Sequence, residues 1–294
     1  MVAGCAGARG GGASTLGDGP LVLREDQDER ASARAIGARA AGADVVYLGE
    51  QHDNPAHHAH QRAVVEALVA RGVRPALAFE MLEASQQASV DAALTEGGAP
   101  ADLEERLRWG ARGWPDFRMY EPLFEIAARE RLPVIALDLD PAVSRRIARE
   151  GRPALGADGE ALASRLVPDP AREAAIAAVI RDGHCGLLPE ARLPGMVDAW
   201  HARNVTMARR LAATLERGLT VVVVVGRGHQ AAGGLPDQLA AIRPGTRQLV
   251  VDMVEAPAGA TGTRTGELPA GDVVWLTPAV ERGDPCAALR RPPR

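Results

Sequence analysis

Two histidines in this chain stand three residues behind a glycine that closes an apolar run, in Gly49-Glu50-Gln51-His52 and Gly226-Arg227-Gly228-His229. Another apolar run ends in Phe79-Glu80-Met81, and a fourth in Asp138-Leu139-Asp140. Carboxylates and imidazoles hold divalent metals, and they are also the groups that trade protons as general acids and bases near neutral pH. With seven histidines in 294 residues, the repeated Gly-x-x-His spacing marks Glu50, His52, Glu80 and His229 as one centre. Two chemistries follow from that set. One is hydrolysis by a metal-dependent or Glu/His-based site; the other is the holding of a cofactor.

For these residues to meet, the apolar runs must be strands lying side by side. Six runs read as strands: 45–49, 76–80, 133–139, 219–226, 248–254 and 273–276. Most are continuously apolar rather than alternating, as in strands buried on both faces. Helical stretches fall between them at 55–71, 84–95, 101–108, 117–131, 141–149, 169–182 and 190–217. Alternation of this kind predicts an α/β fold with a mostly parallel central sheet flanked by helices. Ligands of open α/β sheets gather outside the carboxyl ends of the strands, where four of these runs deliver their reactive residues. Only helices fill 141–217, so a helical layer or lid is expected before the fourth strand. The organisation read from this is a flexible tether over 1–19, a single domain over 20–280 and a loose tail over 281–294.

The helix after the first strand carries His57, His58, His60 and Gln61. Its core stripe of Val64, Val65, Leu68 and Val69 turns His57, His58 and Gln61 toward the rim and His60 toward solvent. His184 occupies a glycine-flanked turn, and His201 reads as structural. Tyr47 lies inside a strand and belongs to the core, whereas Tyr120 follows Trp109, Trp114 and Phe117 and could meet a flat aromatic cofactor. Arg203 and Arg227 are candidates for bidentate pairing with carboxylates.

Composition narrows the function classes. At 46% hydrophobic and 24% charged the chain is of globular type, and a net charge of −4 without a basic stripe argues against nucleic acid as a partner. All 34 basic residues are arginine, which excludes lysine-based Schiff-base chemistry. The longest apolar run, 219–225, is far short of the ~20 residues of a membrane span. No Ser or Cys nucleophile motif is present. Residues 226–231 formally fit a dinucleotide-binding turn, but Arg227 and His229 crowd it, and Gly233-Gly234-Leu235-Pro236 should break the helix it requires. Cys5, Cys185 and Cys286 are widely spaced and odd in number, with neither a metal-ligand pattern nor a disulfide framework. Val2-Ala3-Gly4-Cys5 has the form of a lipobox, but the charged and apolar regions of a signal sequence do not precede it. The expectation is a true start upstream of Met1, with Cys5 as the lipidation site.

Three segments together carry a family resemblance. They are Leu48-Gly49-Glu50-Gln51-His52-Asp53-Asn54-Pro55-Ala56-His57-His58, then Ala78-Phe79-Glu80-Met81-Leu82, then Gly226-Arg227-Gly228-His229-Gln230 with Gly234-Leu235-Pro236. They resemble the ChaN family of haem-binding, iron-regulated lipoproteins, within a superfamily that includes Tiki/TraB proteases and erythromycin esterases. The resemblance spans about 44–255 and departs from the family at Ala199-Trp200-His201-Ala202-Arg203-Asn204 and at Asp138. It implies a haem carrier in haem or iron uptake. Such a protein would be lipid-anchored to a bacterial membrane, would face the periplasm, and could work as a homodimer. Haem iron takes an imidazole or a tyrosinate as axial ligand. His52, His57, His58, Tyr120, His184 and His229 are the residues that could serve, with Arg227 and Arg203 for the propionates. A divalent metal on Glu50, His52, Glu80 and His229 is the alternative, with hydrolysis as its chemistry.

Overall fold

The computed structural model describes residues 21–24, 27–95, 100–155, 169–256, 271–284 and 286–287. Cys5, the 1–19 tether and most of the 281–294 tail lie outside the described residues.

Seven strands form one parallel sheet: β1 (Leu21–Leu23), β2 (Val45–Glu50), β3 (Ala76–Glu83), β4 (Val134–Asp138), β5 (Val221–Gly226), β6 (Gln248–Ala256) and β7 (Val273–Pro278). Their order is β1-β7-β6-β2-β5-β3-β4, and every pairing is parallel. All six predicted strands are present, and the mostly parallel sheet is wholly parallel. The three-residue edge strand β1 is too short to show a pattern in sequence. With β1 counted, the helical insertion precedes the fifth strand.

β2 and β5 are buried along their whole length because both faces of the sheet are covered. Val46 and Leu48 of β2 join Val222 and Val224 in one core, with Val64, Val65 and Leu68 of helix α2 (Pro55–Ala70) and Phe124 of the helix Glu121–Glu130. Val45 and Tyr47 join Val221, Val223 and Val225 in a second core on the opposite face, with Met207, Ala208 and Leu211. Alternate residues thus enter different cores. Tyr47 is core as expected, its hydroxyl donating to Gln248 Oε1 at 2.5 Å.

Among the described residues two helices escaped the sequence reading. Glu29–Arg39 (α1) has a weak apolar stripe, and its start is marked by Asp28, whose carboxylate accepts from Ala31 N–H at 2.7 Å. Leu235–Ile242 begins where Gly233-Gly234-Leu235-Pro236 was expected to break a helix. Proline in the first helical turn forfeits an N–H that would be unpaired anyway, so Pro236 starts this helix rather than stopping it.

The chain divides into two compact units, Met1–Asp138 with Met207–Ala279, and Leu139–Thr206 with Val280–Arg294. The second unit is helical. Pro141–Glu150 and the first part of Leu193–Glu216 pack around Ile147, Ala199, Ala202 and Val205, and Pro170–Gly183 meets the long helix through Glu173. His201 is buried there and bonds Glu173 at 2.9 Å, a structural role. The unit also corrects the cysteine reading, because Cys185 and Cys286 form a disulfide. The partners are 101 residues apart, and such a pairing is set by tertiary approach, which spacing does not reveal.

Candidate functional site

Glu50 is the last residue of β2 and pairs in register with Gly226, the last of β5. Its carboxylate is 1% exposed and is met by protein donors on both oxygens. Oε1 accepts from the Tyr120 hydroxyl at 2.6 Å and from His52 Nδ1 at 2.7 Å. Oε2 accepts from Gln61 Nε2 at 2.5 Å, with His58 Nδ1 at 3.6 Å. Burial pushes the Glu50 pKa up, but the His52 hydrogen bond, the nearby His58 and His52 and the Tyr120 hydroxyl outweigh it, so the net shift is downward. Glu50 is a buried anion in a cage of donors.

Glu80, from β3 on the other side of β5, is the matching carboxylate. Its Oε2 accepts from Gly226 N–H at 2.7 Å, and its Oε1 lies 3.1 Å from His229 Nε2. Gly226 joins the two halves. Its φ of −60° is open to any residue, so glycine is not required for the turn. It is required for room: a Cβ there would stand 2.8 Å from His52 Nε2 and 3.2 Å from Glu80 Oε2. Gly49 likewise makes space, for the Gln230 side chain. The four residues singled out by spacing do converge. Within the set, only His52 reaches solvent appreciably, its side chain 31% exposed and edge-on to Trp114 at 5.1 Å.

The histidines of α2 support this centre from below. Gln51 N–H donates to His57 Nδ1 at 2.8 Å, so the ring proton sits on Nε2 and is given to Thr277 Oγ1 at 2.8 Å. His58 Nε2 bonds the His52 carbonyl at 2.8 Å. His60, expected in solvent, is buried, stacked on Trp275 at 3.9 Å with Nδ1 on Glu29 at 2.8 Å. The reason is that α1 and β7, which the periodicity of α2 could not reveal, cover that flank. Asn54 caps α2 through Ala56 N–H at 2.9 Å and ties it to Glu255 and the Pro278 carbonyl. Its position before Pro55 is a readable cap signal. Gln230 falls inside the third resemblance segment without a role of its own, and Thr277 gave no sequence signal.

Burial drives the His57 pKa down to about 4, against opposing pulls from Glu50 and Glu255. The folded protein therefore protonates His57 near pH 4 and the unfolded chain near 6.5. Below pH 6.5 the unfolded state binds more protons, and stability falls until about pH 4 is reached. At roughly 1.4 kcal/mol per pH unit, about 2 kcal/mol should be lost between pH 7 and 5. Denaturant melts at the two pH values measure it. His57→Asn should flatten the dependence without abolishing it, because burial also lowers His201. An unchanged slope would exclude His57 as its source.

A family model described as haem-binding uptake, Tiki superfamily, ChaN matches residues 36–239. The chain belongs to the ChaN family. Among solved structures it is similar to ChaN of Campylobacter jejuni, described as binding haem cofacially, with a TM-score of 0.63 and 19% identity over 80% of this chain and 93% of that one. It also matches the type III effector HopBA1 (TM-score 0.47, 14% identity, 90% and 99% covered) and a mutant erythromycin esterase in its open conformation (0.43, 12%, 74% and 71%). No curated protein matches. At such identities these likenesses speak for the fold alone.

In this ChaN-family chain the remaining candidates separate sharply. Tyr120 is 0% exposed, and its hydroxyl is committed to Glu50. Burial, then the charge and hydrogen bond of Glu50, push its pKa well above the ordinary tyrosine value, so the phenolate that would ligate iron is suppressed. The structure makes Tyr120 an orienting donor, against the expectation of a ligand. Behind it Trp109 and Phe117 are also buried, with Trp109 Nε1–H donating to the Pro115 carbonyl at 2.7 Å. Arg227 spends its fork on Asp252 at 3.0 and 3.1 Å rather than presenting it to a propionate. His184 and Arg203 belong to the helical unit, and His184 is exposed. Among the described residues no group of three His, Cys, Asp or Glu is arranged to hold a metal ion. Glu50, His52, Glu80 and His229 therefore do not fit the divalent-metal alternative: both carboxylates face donors from the protein itself.

Proposed function

We propose that this ChaN-family chain binds haem as a lipid-anchored protein of the bacterial cell envelope, facing the periplasm, in haem or iron uptake, and that it works as a homodimer. The family match over 36–239 carries this reading. The exposed imidazole of His184 and the part-exposed one of His52 are residues suited to ferric haem, and arginine is the only cation this lysine-free chain has for propionates. The Cys185–Cys286 disulfide supports an oxidising compartment outside the cytosol. That pair uses two of three cysteines and leaves Cys5, in its lipobox-like setting, as the third.

Haemin titration tests the reading. Purified protein should show a saturable Soret shift, and sedimentation should show a dimer in the loaded state. In cells, Cys5→Ser should move the full-length protein from the membrane fraction to the soluble one. Haemin binding no tighter than to an unrelated protein would remove the haem assignment, and equal partitioning of the two forms would remove the anchor.

A further inference from the structure

We infer that the Gln87 carboxamide stands in for a further strand, closing the open edge of β4 so that a second copy of this chain cannot extend the sheet there. The inference does not depend on the haem reading.

The order β1-β7-β6-β2-β5-β3-β4 leaves one margin of the sheet at β1 and the other at β4. β1 is three residues long, too short to serve as a template for another strand. β4 is a different case. It pairs with β3 alone, through Leu77↔Val134, Ala78↔Ile135 and Phe79↔Ala136. Its run Val134-Ile135-Ala136-Leu137 holds no charge, proline or glycine. Left bare, an apolar edge of this kind recruits other strands, because its outward N–H and C=O groups still need partners.

In this chain side chains meet those groups. Ala136 N–H donates to Gln87 Oε1 at 2.8 Å, and Gln87 Nε2 donates to the Val134 carbonyl at 2.8 Å. A residue of a neighbouring parallel strand would bond in the same pattern, giving its N–H to one carbonyl and accepting the N–H two residues further along. One amide thus reproduces a strand bridge centred on Ile135. The Ala136 carbonyl accepts from Arg210 Nη1 at 2.6 Å, a residue of the long helix Leu193–Glu216.

The amide is itself held in place. Gln87 opens the helix Gln87–Thr95, and its Nε2 also donates to Asp91 Oδ1, one turn on, at 2.9 Å. Val90 and Ala93 of the same helix are buried in the core that contains Phe79 and Phe124, which fixes the helix beside the edge. Both amide hydrogens and the amide oxygen are engaged, so the edge is closed by occupancy rather than by a repelling charge. The homodimer proposed above then forms on another surface.

Sedimentation of the purified full chain over a concentration series, with hydrogen exchange read at the Ala136 amide, tests the inference. Gln87→Ala removes the carboxamide at a half-buried position that opens a helix, and Gln87→Met removes it while keeping the length. Val90→Ala loosens the same helix but leaves the carboxamide. In dilute Gln87→Ala the Ala136 amide should exchange about tenfold faster than in wild type, the scale for losing one net hydrogen bond. At higher concentration a species of twice the wild-type mass should form, and protection at Ala136 should return with it. Gln87→Met should do the same, and carries the test if circular dichroism shows Gln87→Ala unfolded. Val90→Ala should keep the wild-type mass. Glutamine variants that keep the wild-type mass at every concentration, or double it without renewed protection at Ala136, overturn the inference. Equal association of Val90→Ala overturns it too, because the effect would then belong to the loosened helix.

Discussion

Glu50→Ala should destabilise the sheet unit by about 3–5 kcal/mol, the scale for removing one partner of a buried, hydrogen-bonded charge system. The substitution leaves the Tyr120 hydroxyl, the Gln61 amide and His52 Nδ1 facing a void where an anion had accepted from all three. Each buried donor left unmet costs about 1–3 kcal/mol; His52 is part-exposed and can turn to water, but the Tyr120 hydroxyl and the Gln61 amide are fully buried. Glu50→Gln should cost less, because its amide oxygen still accepts and the volume is kept. The difference between the two variants then separates packing and donor satisfaction from charge. Urea unfolding followed by tryptophan fluorescence gives both values. A loss below about 1 kcal/mol for Glu50→Ala would show that the donors find other partners.

Cleaving the Cys185–Cys286 bond should cost about 4 kcal/mol. A crosslink stabilises chiefly by restricting the unfolded chain, and for a loop near 100 residues the entropy model gives about 4.7 kcal/mol before any native strain is subtracted. Here the span is 101 residues. For a chain of this size the loss corresponds to a fall in melting temperature of roughly 10 °C. Calorimetry with and without reductant, and of Cys286→Ser, should agree on the shift. Identical melting of oxidised and reduced protein would mean that the bond adds nothing to folding.

Much of this protein was legible in its residues. Continuous apolar runs ending in Gly-Glu or Gly-Arg-Gly-His define parallel strands with reactive tips, because hydrophobic periodicity and chain punctuation are local properties. The family resemblance came from the same tips. The α2 face bearing His57, His58 and Gln61 followed from helical spacing. What periodicity could not supply is which strand lies beside which. The order β2-β5-β3 brings Glu50, Gly226 and Glu80 together, although Glu80 and Gly226 are 146 residues apart.

Tertiary adjacency of this kind also decided the roles the sequence misassigned. Tyr120 read as a ligand until its hydroxyl was found on Glu50, 70 residues away. Arg227 read as a propionate clamp until Asp252 was found in its fork, and His60 as a surface residue until Trp275 was found stacked upon it. The cysteines read as unpaired until Cys185 met Cys286. A residue's type and spacing determine what chemistry it can do. Its partner determines whether that capacity is spent inside the fold or left for a ligand, and partners this distant in sequence are chosen only when each unit packs.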